Sequence, residues 1–338
     1  MNFLICSASK EDKVEFVLFA SVYPNDKKIF LYYVNPMIAF SDIRIESDGI
    51  NSASQIKSKL EALLDKKIDY TLTLREDHFS RIIDILGGVS IYFDSQLMKK
   101  NPELKLTSSG DFNFSGSEAL SFLKLKNLDN PYDFLDRLNK QESLTLTLYD
   151  NLTKNSKLIH KEWLAFMFNF FEGNLSVQEF YFLFENLTEN KYTFLITEMP
   201  SELADPKLEN SKKQFLKIKD EIVSIAFSKF ETVFKSGEFT DGEYARIEVL
   251  NGTETNGLAK RVKIFLNEKR IKVLSTDNAS KVNVKESVII NRSGNTAYVK
   301  KISELLGINN IKHIINKESG LDLTVILGED FEIKAGKN

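Results

Sequence analysis

Five residues in the stretch FLKLKNLDNPYDFLDRLNKQ, numbered 122–141, have the types and spacing of an anion site: Lys124, Lys126, Arg137, Lys140 and Gln141. A phosphate oxygen loses water on binding and then needs a donor in its place. Arginine supplies a planar fork that meets two oxygens, and lysine supplies a point charge. On a helix, Arg137, Lys140 and Gln141 share one face by i, i+3, i+4 spacing. The competing reading is a solvated helix face. Asp129, Asp133 and Asp136 lie among these cations, where they suit a helix cap or ion pairs with the lysines better than a metal.

Other chemistries find no footing. His78, His160 and His313 are far apart in sequence, without ligand spacing. No Ser-His-Asp or Cys-His arrangement stands out. Gly87-Gly88 and Asn251-Gly252 read as turn glycines, not phosphate loops.

The elements that must position the basic residues follow from periodicity. VEFVLFASVY and KIFLYYV are β-rich runs around the turn PNDKK. Ile56, Leu60, Leu63 and Leu64 recur at helical spacing, and IDYTLTL alternates as a strand. DHFSRIIDIL reads as a helix ended by Gly87-Gly88, VSIYF as a strand and GSEALSFLKLK as a helix. Residues 133–190 read as mostly helical, although LTLTLY alternates like a strand. A breaker at Pro206 precedes a long amphipathic helix, and the polar run KSGEFTDGEY marks a linker. Beyond it the order β-α-β-β-α-β implies a small two-layer α/β domain.

Composition narrows the function. The chain has 338 residues, enough for two or three domains, and a net charge of -3, which gives no global field toward nucleic acid or an anionic membrane. Cys6 is the one cysteine, so no intrachain disulfide forms, and its setting reads as a buried strand thiol. No run reaches the roughly 18 apolar residues of a membrane span. The phenylalanines between 166 and 184 read as core, or as the lining of an apolar channel.

Several phrases in one order carry a resemblance. GSEALSFLKLK followed by RLNKQ is similar to the LytR-CpsA-Psr pattern G-x-x-A-L-x-Y-x-R-x-R, then R-x-x-R-Q. KIDYTLTLREDHFSRIIDILGGVSI and the opening hairpin also resemble that family. IEVLNGTETNGLAKRV through TVILGEDF resembles the LytR C-terminal domain. The resemblance implies an α/β fold: a central mixed sheet flanked by helices, plus the small C-terminal domain. Expected boundaries are a divergent family domain over 1–200, helix and linker over 201–243, and the C-terminal domain over 244–332.

The resemblance further implies an extracytoplasmic protein at the bacterial inner membrane. Its partners would be a polyprenyl phosphate or pyrophosphate lipid held in an apolar tunnel, with peptidoglycan or envelope proteins beside it. The chain begins almost in a strand, so a membrane anchor is expected upstream of it. Active relatives of this type transfer a lipid-linked glycopolymer to an envelope acceptor with Mg²⁺. Lys124 and Lys126 fall where the family carries two arginines, Arg137 matches an arginine, Lys140 replaces one and Gln141 matches the glutamine. The family's two early acids fall at Ser9 and Glu15, which leaves Glu15 as the metal candidate; the competing reading of Glu15 is an edge charge. The motif S-x-P-R-D aligns with YVNPM, so Pro36 and Met37 replace an arginine and an aspartate. Neither can donate to phosphate or act as a hard anionic ligand. The expectation is a pseudoenzyme that binds or scaffolds at the cell wall; the alternative is an active glycopolymer phosphotransferase.

Overall fold

The computed structural model describes residues 1–40, 45, 53–125, 133–204, 215–237 and 245–332. Lys126, Asp129, Pro206 and most of the expected linker lie outside the described residues. The strands and helices, in chain order, are β1 (Asn2–Ala8), β2 (Val14–Tyr23), β3 (Lys28–Val34), α1 (Ala53–Leu64), β4 (Tyr70–Arg75), α2 (Glu76–Ile85), β5 (Val89–Phe93), α3 (Ser95–Lys100), β6 (Gly110–Phe114), α4 (Gly116–Lys124), α5 (Asp133–Asn155), α6 (Lys161–Phe168), β7 (Phe171–Gly173), α7 (Val177–Glu189), β8 (Thr193–Glu198), β9 (Glu202–Leu203), β10 (Leu216–Lys217), α8 (Asp220–Ser236), β11 (Ile247–Asn251), α9 (Leu258–Glu268), β12 (Val273–Asn278), β13 (Val288–Asn291), α10 (Thr296–Leu306), β14 (Ile311–His313) and β15 (Leu323–Leu327). They form two compact units: Met1–Val89, Phe114–Phe122 and Tyr149–Lys235 in one, and Ser90–Asn113, Leu123–Leu148 and Ser236–Asn338 in the other.

The first unit is built on a mixed sheet in the order β7-β4-β1-β2-β3-β8. The aromatic and β-branched runs of β2 and β3 form the expected antiparallel hairpin, with Lys27 left-handed in its turn. β1 pairs parallel to β4, and β3 parallel to β8. Such parallel neighbours need a crossover, which the intervening helices supply. Phe227 of α8 sits edge-on to Phe19, Phe30 and Tyr32, which register places on one sheet face. On the opposite face Tyr149 of α5 packs on Phe194 of β8. Cys6 is fully buried in β1, and burial pushes its thiol up to about 12.

In the second unit a sheet ordered β12-β11-β15-β13-β14 forms one layer. Val262 and Leu266 of α9 and Val299 and Ile302 of α10 share a buried core with Ile247, Val249 and Val325. Asn295 caps α10, accepting from the amides of Ala297 and Tyr298, and left-handed Gly307 ends it. This is the small α/β domain expected from the tail, with one addition: β14 extends the sheet parallel to β13. Three residues are too few to show a period, so sequence alone missed it. The β5-β6 pair lies in the same unit. Tyr92 and Leu97 from that region pack against Val288, Ile290 and Ile314 of the tail.

LTLTLY lies inside α5. Thr145 and Thr147 donate back to the carbonyls of Gln141 and Ser143, and Leu144 and Leu146 are buried. Local hydroxyl bonds of this kind let a threonine sit in a helix despite its strand preference.

Candidate functional site

The basic residues come from two helix ends. Lys124 is the last residue of α4 and is exposed, where a cation complements the helix C-terminus. Arg137 and Lys140 belong to the first turns of α5, which opens with Asp133 and Asp136. Asp136 pairs at 2.5 Å with Lys100, a lysine outside the basic stretch. Arg137 is half-buried, while Asn139, Lys140, Gln141 and Glu142 are all buried. Lys140 donates to the carbonyl of Leu125 at 3.0 Å. That bond brings the chain just after Lys124 to the second turn of α5. Burial pulls the Lys140 ammonium below the ordinary lysine range, opposed by Asp133, Asp136 and Glu103.

Four consecutive polar residues are buried because the tail domain of the same unit covers them. Lys317 reaches Glu142 at 2.6 Å, Glu318 accepts from Asn139 at 2.8 Å, and the amide of Ile315 donates to Ser143 at 2.8 Å. Beside them Arg292, 3% exposed, donates to Asp94 at 2.6 Å and to Thr324 at 3.2 Å. The Nη1 of Arg292 is buried without a hydrogen-bond partner among the described residues. Asp94 also caps α3, accepting from the amide of Leu97. Lys312 holds both carboxylate oxygens of Asp111 at 2.7 Å and lies over the ring of Tyr92. Sequence reading found none of the pairs that join the tail to earlier segments, since partners separated by 172 to 201 residues leave no periodic signal.

The expected metal side lies in the first unit. Ser9 closes the β1-β2 turn, its hydroxyl accepting from the amides of Glu11 and Lys13. Asp12 of that turn pairs with Arg75 at 2.9 Å, and Arg75 also reaches Glu172 at 3.4 Å. Glu15, half-buried, occupies a β-bulge: Ser7 pairs with Phe16 and Ala8 with Val14, leaving Glu15 as the extra residue. The segment where the family motif puts an arginine and an aspartate is a closed turn. Asn35 accepts from the amide of Met37 through its side chain and from Ile38 through its carbonyl. Ile38 bridges to Leu216. Among the described residues no three histidine, cysteine, aspartate or glutamate side chains gather as a metal site. Among the described residues, the positions that align with the family's acids, Ser9, Glu15 and Met37, offer one carboxylate, a poorer set for Mg²⁺, which takes carboxylate and phosphate oxygens.

Clefts on the described surface include two away from the basic residues. One of about 600 Å³ is lined by Thr253, Leu258, Arg261 and Phe331 of the tail domain. The other, about 460 Å³, lies by Lys59, Leu63 and Asp220. Neither is lined by a candidate anion-site residue. Of the phenylalanines between 166 and 184, Phe170 is buried against His78, Phe168 and Phe171 pack on Phe180, and Phe166 and Phe182 are exposed. The described helices hold no span long and apolar enough to cross a membrane.

Residues 244–331 match the family described as LytR cell envelope-related transcriptional attenuator. Residues 44–224 match the LytR_cpsA_psr family. No curated protein sequence matches the chain. Among solved structures, TagT from Bacillus subtilis is similar at 15% identity and a TM-score of 0.51, covering 69% of this chain and 91% of that one. A structure titled TagT bound to LI-WTA gives 15%, 0.53, 70% and 90% in the same order. The protein gbs0355 from Streptococcus agalactiae gives 13%, 0.54, 70% and 88%. At these identities the likeness speaks for the fold. Together with the family match across more than half of the chain, it makes this a member of the LytR-CpsA-Psr family of cell-envelope proteins, with a LytR C-terminal domain.

Proposed function

We propose that this envelope protein binds the phosphate or pyrophosphate of a polyprenyl-linked glycan and has lost efficient transfer. It acts on the extracytoplasmic side as a binding or scaffolding component of wall assembly, with peptidoglycan or envelope proteins as further partners. Along the sequence we place the family domain at 1–200, the helix and linker at 201–243 and the C-terminal domain at 244–332, with segments 90–113 and 123–148 packed in the same unit as the last. In this reading Lys124, Lys126, Arg137, Lys140 and Gln141 supply charge and hydrogen bonds to the phosphate, the last three from the first turns of α5.

The observation that carries the reading is the closed turn Asn35–Pro36–Met37, tied to the rest of the unit through Ile38 and Leu216. A hydrophobic turn replaces the guanidinium and carboxylate on which a family transferase relies. Removing one transition-state donor costs on the order of 2.7–4 kcal/mol. Removing several groups at once leaves binding without turnover. Glu15, in its bulge, does not restore a carboxylate set, so no step is routed through a metal. The likeness to TagT, whose structure was determined bound to LI-WTA, accords with a glycopolymer ligand.

The test is a polyprenyl pyrophosphate hydrolysis assay with Mg²⁺, run beside native mass spectrometry of polyprenyl phosphate binding. We expect hydrolysis at the buffer rate, with lipid retention that falls about ten-fold in Arg137→Ala. Turnover that Arg137→Ala abolishes would replace this reading with the active transferase. Unchanged lipid retention in that variant would remove the anion site itself.

A further inference from the structure

Helix α6 is apolar on two sides. Leu164 and Met167 are buried in the first unit, as a surface helix requires. Trp163 and Phe166 stand outward, 49% and 48% exposed, edge-on to each other at 6.4 Å. The single turn Ser156–Leu158 that precedes the helix leaves Leu158 74% exposed. Exposed large apolar groups gathered this way mark an interaction surface.

The charges around them select the partner. Residues 151–170 themselves carry three lysines, Lys154, Lys157 and Lys161, against the single acid Glu162, while the nearest acids beyond them are Asp150 on α5, Glu172 on β7 and Glu179, Glu185 and Glu189 on α7. All three lysines are exposed. Tryptophan, phenylalanine and leucine rimmed by lysine suit the headgroup layer of a bilayer: the rings enter the interface and the ammonium groups meet lipid phosphates. A second copy of the chain would set lysine against lysine, which disfavours a symmetric contact.

We propose that the segment from Lys154 to Phe166 docks on an anionic lipid bilayer, with Leu158, Trp163 and Phe166 entering the headgroup layer and Lys154, Lys157 and Lys161 pairing with lipid phosphates. This contact is independent of the anion site on α5 and of any transfer chemistry. It would hold the first unit at the surface where lipid-linked glycans reside.

Trp163 is the only tryptophan, so emission from the full chain reports this site alone. The probes are vesicles of phosphatidylglycerol and of phosphatidylcholine. We expect a blue shift and co-sedimentation with phosphatidylglycerol, and neither with phosphatidylcholine. Lys157→Gln should weaken binding about five-fold, the effect of one basic residue near an anionic surface. Leu158→Ser with Phe166→Ser should weaken it at least about ten-fold, with circular dichroism unchanged because both side chains are exposed. Emission that stays at its aqueous position, or sedimentation that persists in the double variant, would overturn the proposal. So would a lipid-independent dimer that buries Trp163.

Discussion

At the scale of single residues, the contrast between Lys140 and Arg292 is instructive. Both are cations with little exposure. Lys140 donates to the Leu125 carbonyl, and burial pulls its pKa down against the pull of Asp133, Asp136 and Glu103. Arg292 meets a buried carboxylate and a threonine hydroxyl. Taking one partner from a buried ion pair leaves a charge without water or counter-ion, at a cost of about 3–5 kcal/mol. We expect Arg292→Met to lower the unfolding free energy measured in urea by that order. Lys300→Met, which removes an exposed pair to Glu304 at 4.0 Å, should change stability by less than about 1 kcal/mol. Equal effects from the two would show that the Arg292 pair contributes no more than a surface contact.

At the scale of elements, helices are held by contacts that tolerate little change. α4 begins at Gly116, whose amide donates to Asp84 of α2 at 2.7 Å. A Cβ at this position would drive into the backbone carbonyl of Ser80. The family motif's glycine thus marks a close approach of α4 to α2. Gly116→Ala should destabilise by about 1–3 kcal/mol in chemical unfolding, although alanine favours helices. A gain in stability would mean that α4 has room to shift.

Helix α8 is fastened by Glu231, 7% exposed. Burial acts to raise the pKa of this carboxyl, and hydrogen bonds from Lys66, Tyr23 and Lys235 outweigh it, so the group stays below the ordinary carboxylate range. A folded pKa below the unfolded value means stability that is complete above the unfolded carboxylate pKa near ~4.3 and is lost as pH falls through the depressed folded value. Glu231→Gln should therefore flatten the loss of stability between about pH 5 and the acid limit. Parallel acid profiles for the two proteins would exclude this source of pH dependence.

At the scale of the whole molecule, the compact units do not follow chain order. Segments 90–113 and 123–148 fold with the tail, although they lie within the stretch that matches the family domain. Shortening the chain to end at residue 237 would strip partners from Asp94, Asp111, Asn139 and Glu142 and uncover Tyr92 and Leu97. Losing one buried pair alone, at about 2–4 °C per kcal/mol, amounts to at least about 6 °C. We expect the shortened chain to melt lower than the full one by that much in calorimetry. An unchanged melting temperature in the remaining fold would make the tail an independent module.

The sequence by itself determined the local frame. Strand pairing of the opening hairpin, the burial of Cys6, the helices around the anion candidates and the α/β order of the tail all follow from periods of two and 3.6 residues and from turn chemistry. It also carries the expected replacement of two family acids at Ser9 and Met37 and of an arginine at Pro36, because a residue's type can be read whatever surrounds it. Only the tertiary structure decided that Lys140, Gln141 and Glu142 are buried, that Asp12 is paired by Arg75, and that Trp163 and Phe166 face water. Those outcomes rest on burial and on partners distant along the chain. A residue's type and its near neighbours carry no record of which remote surface will fold over it.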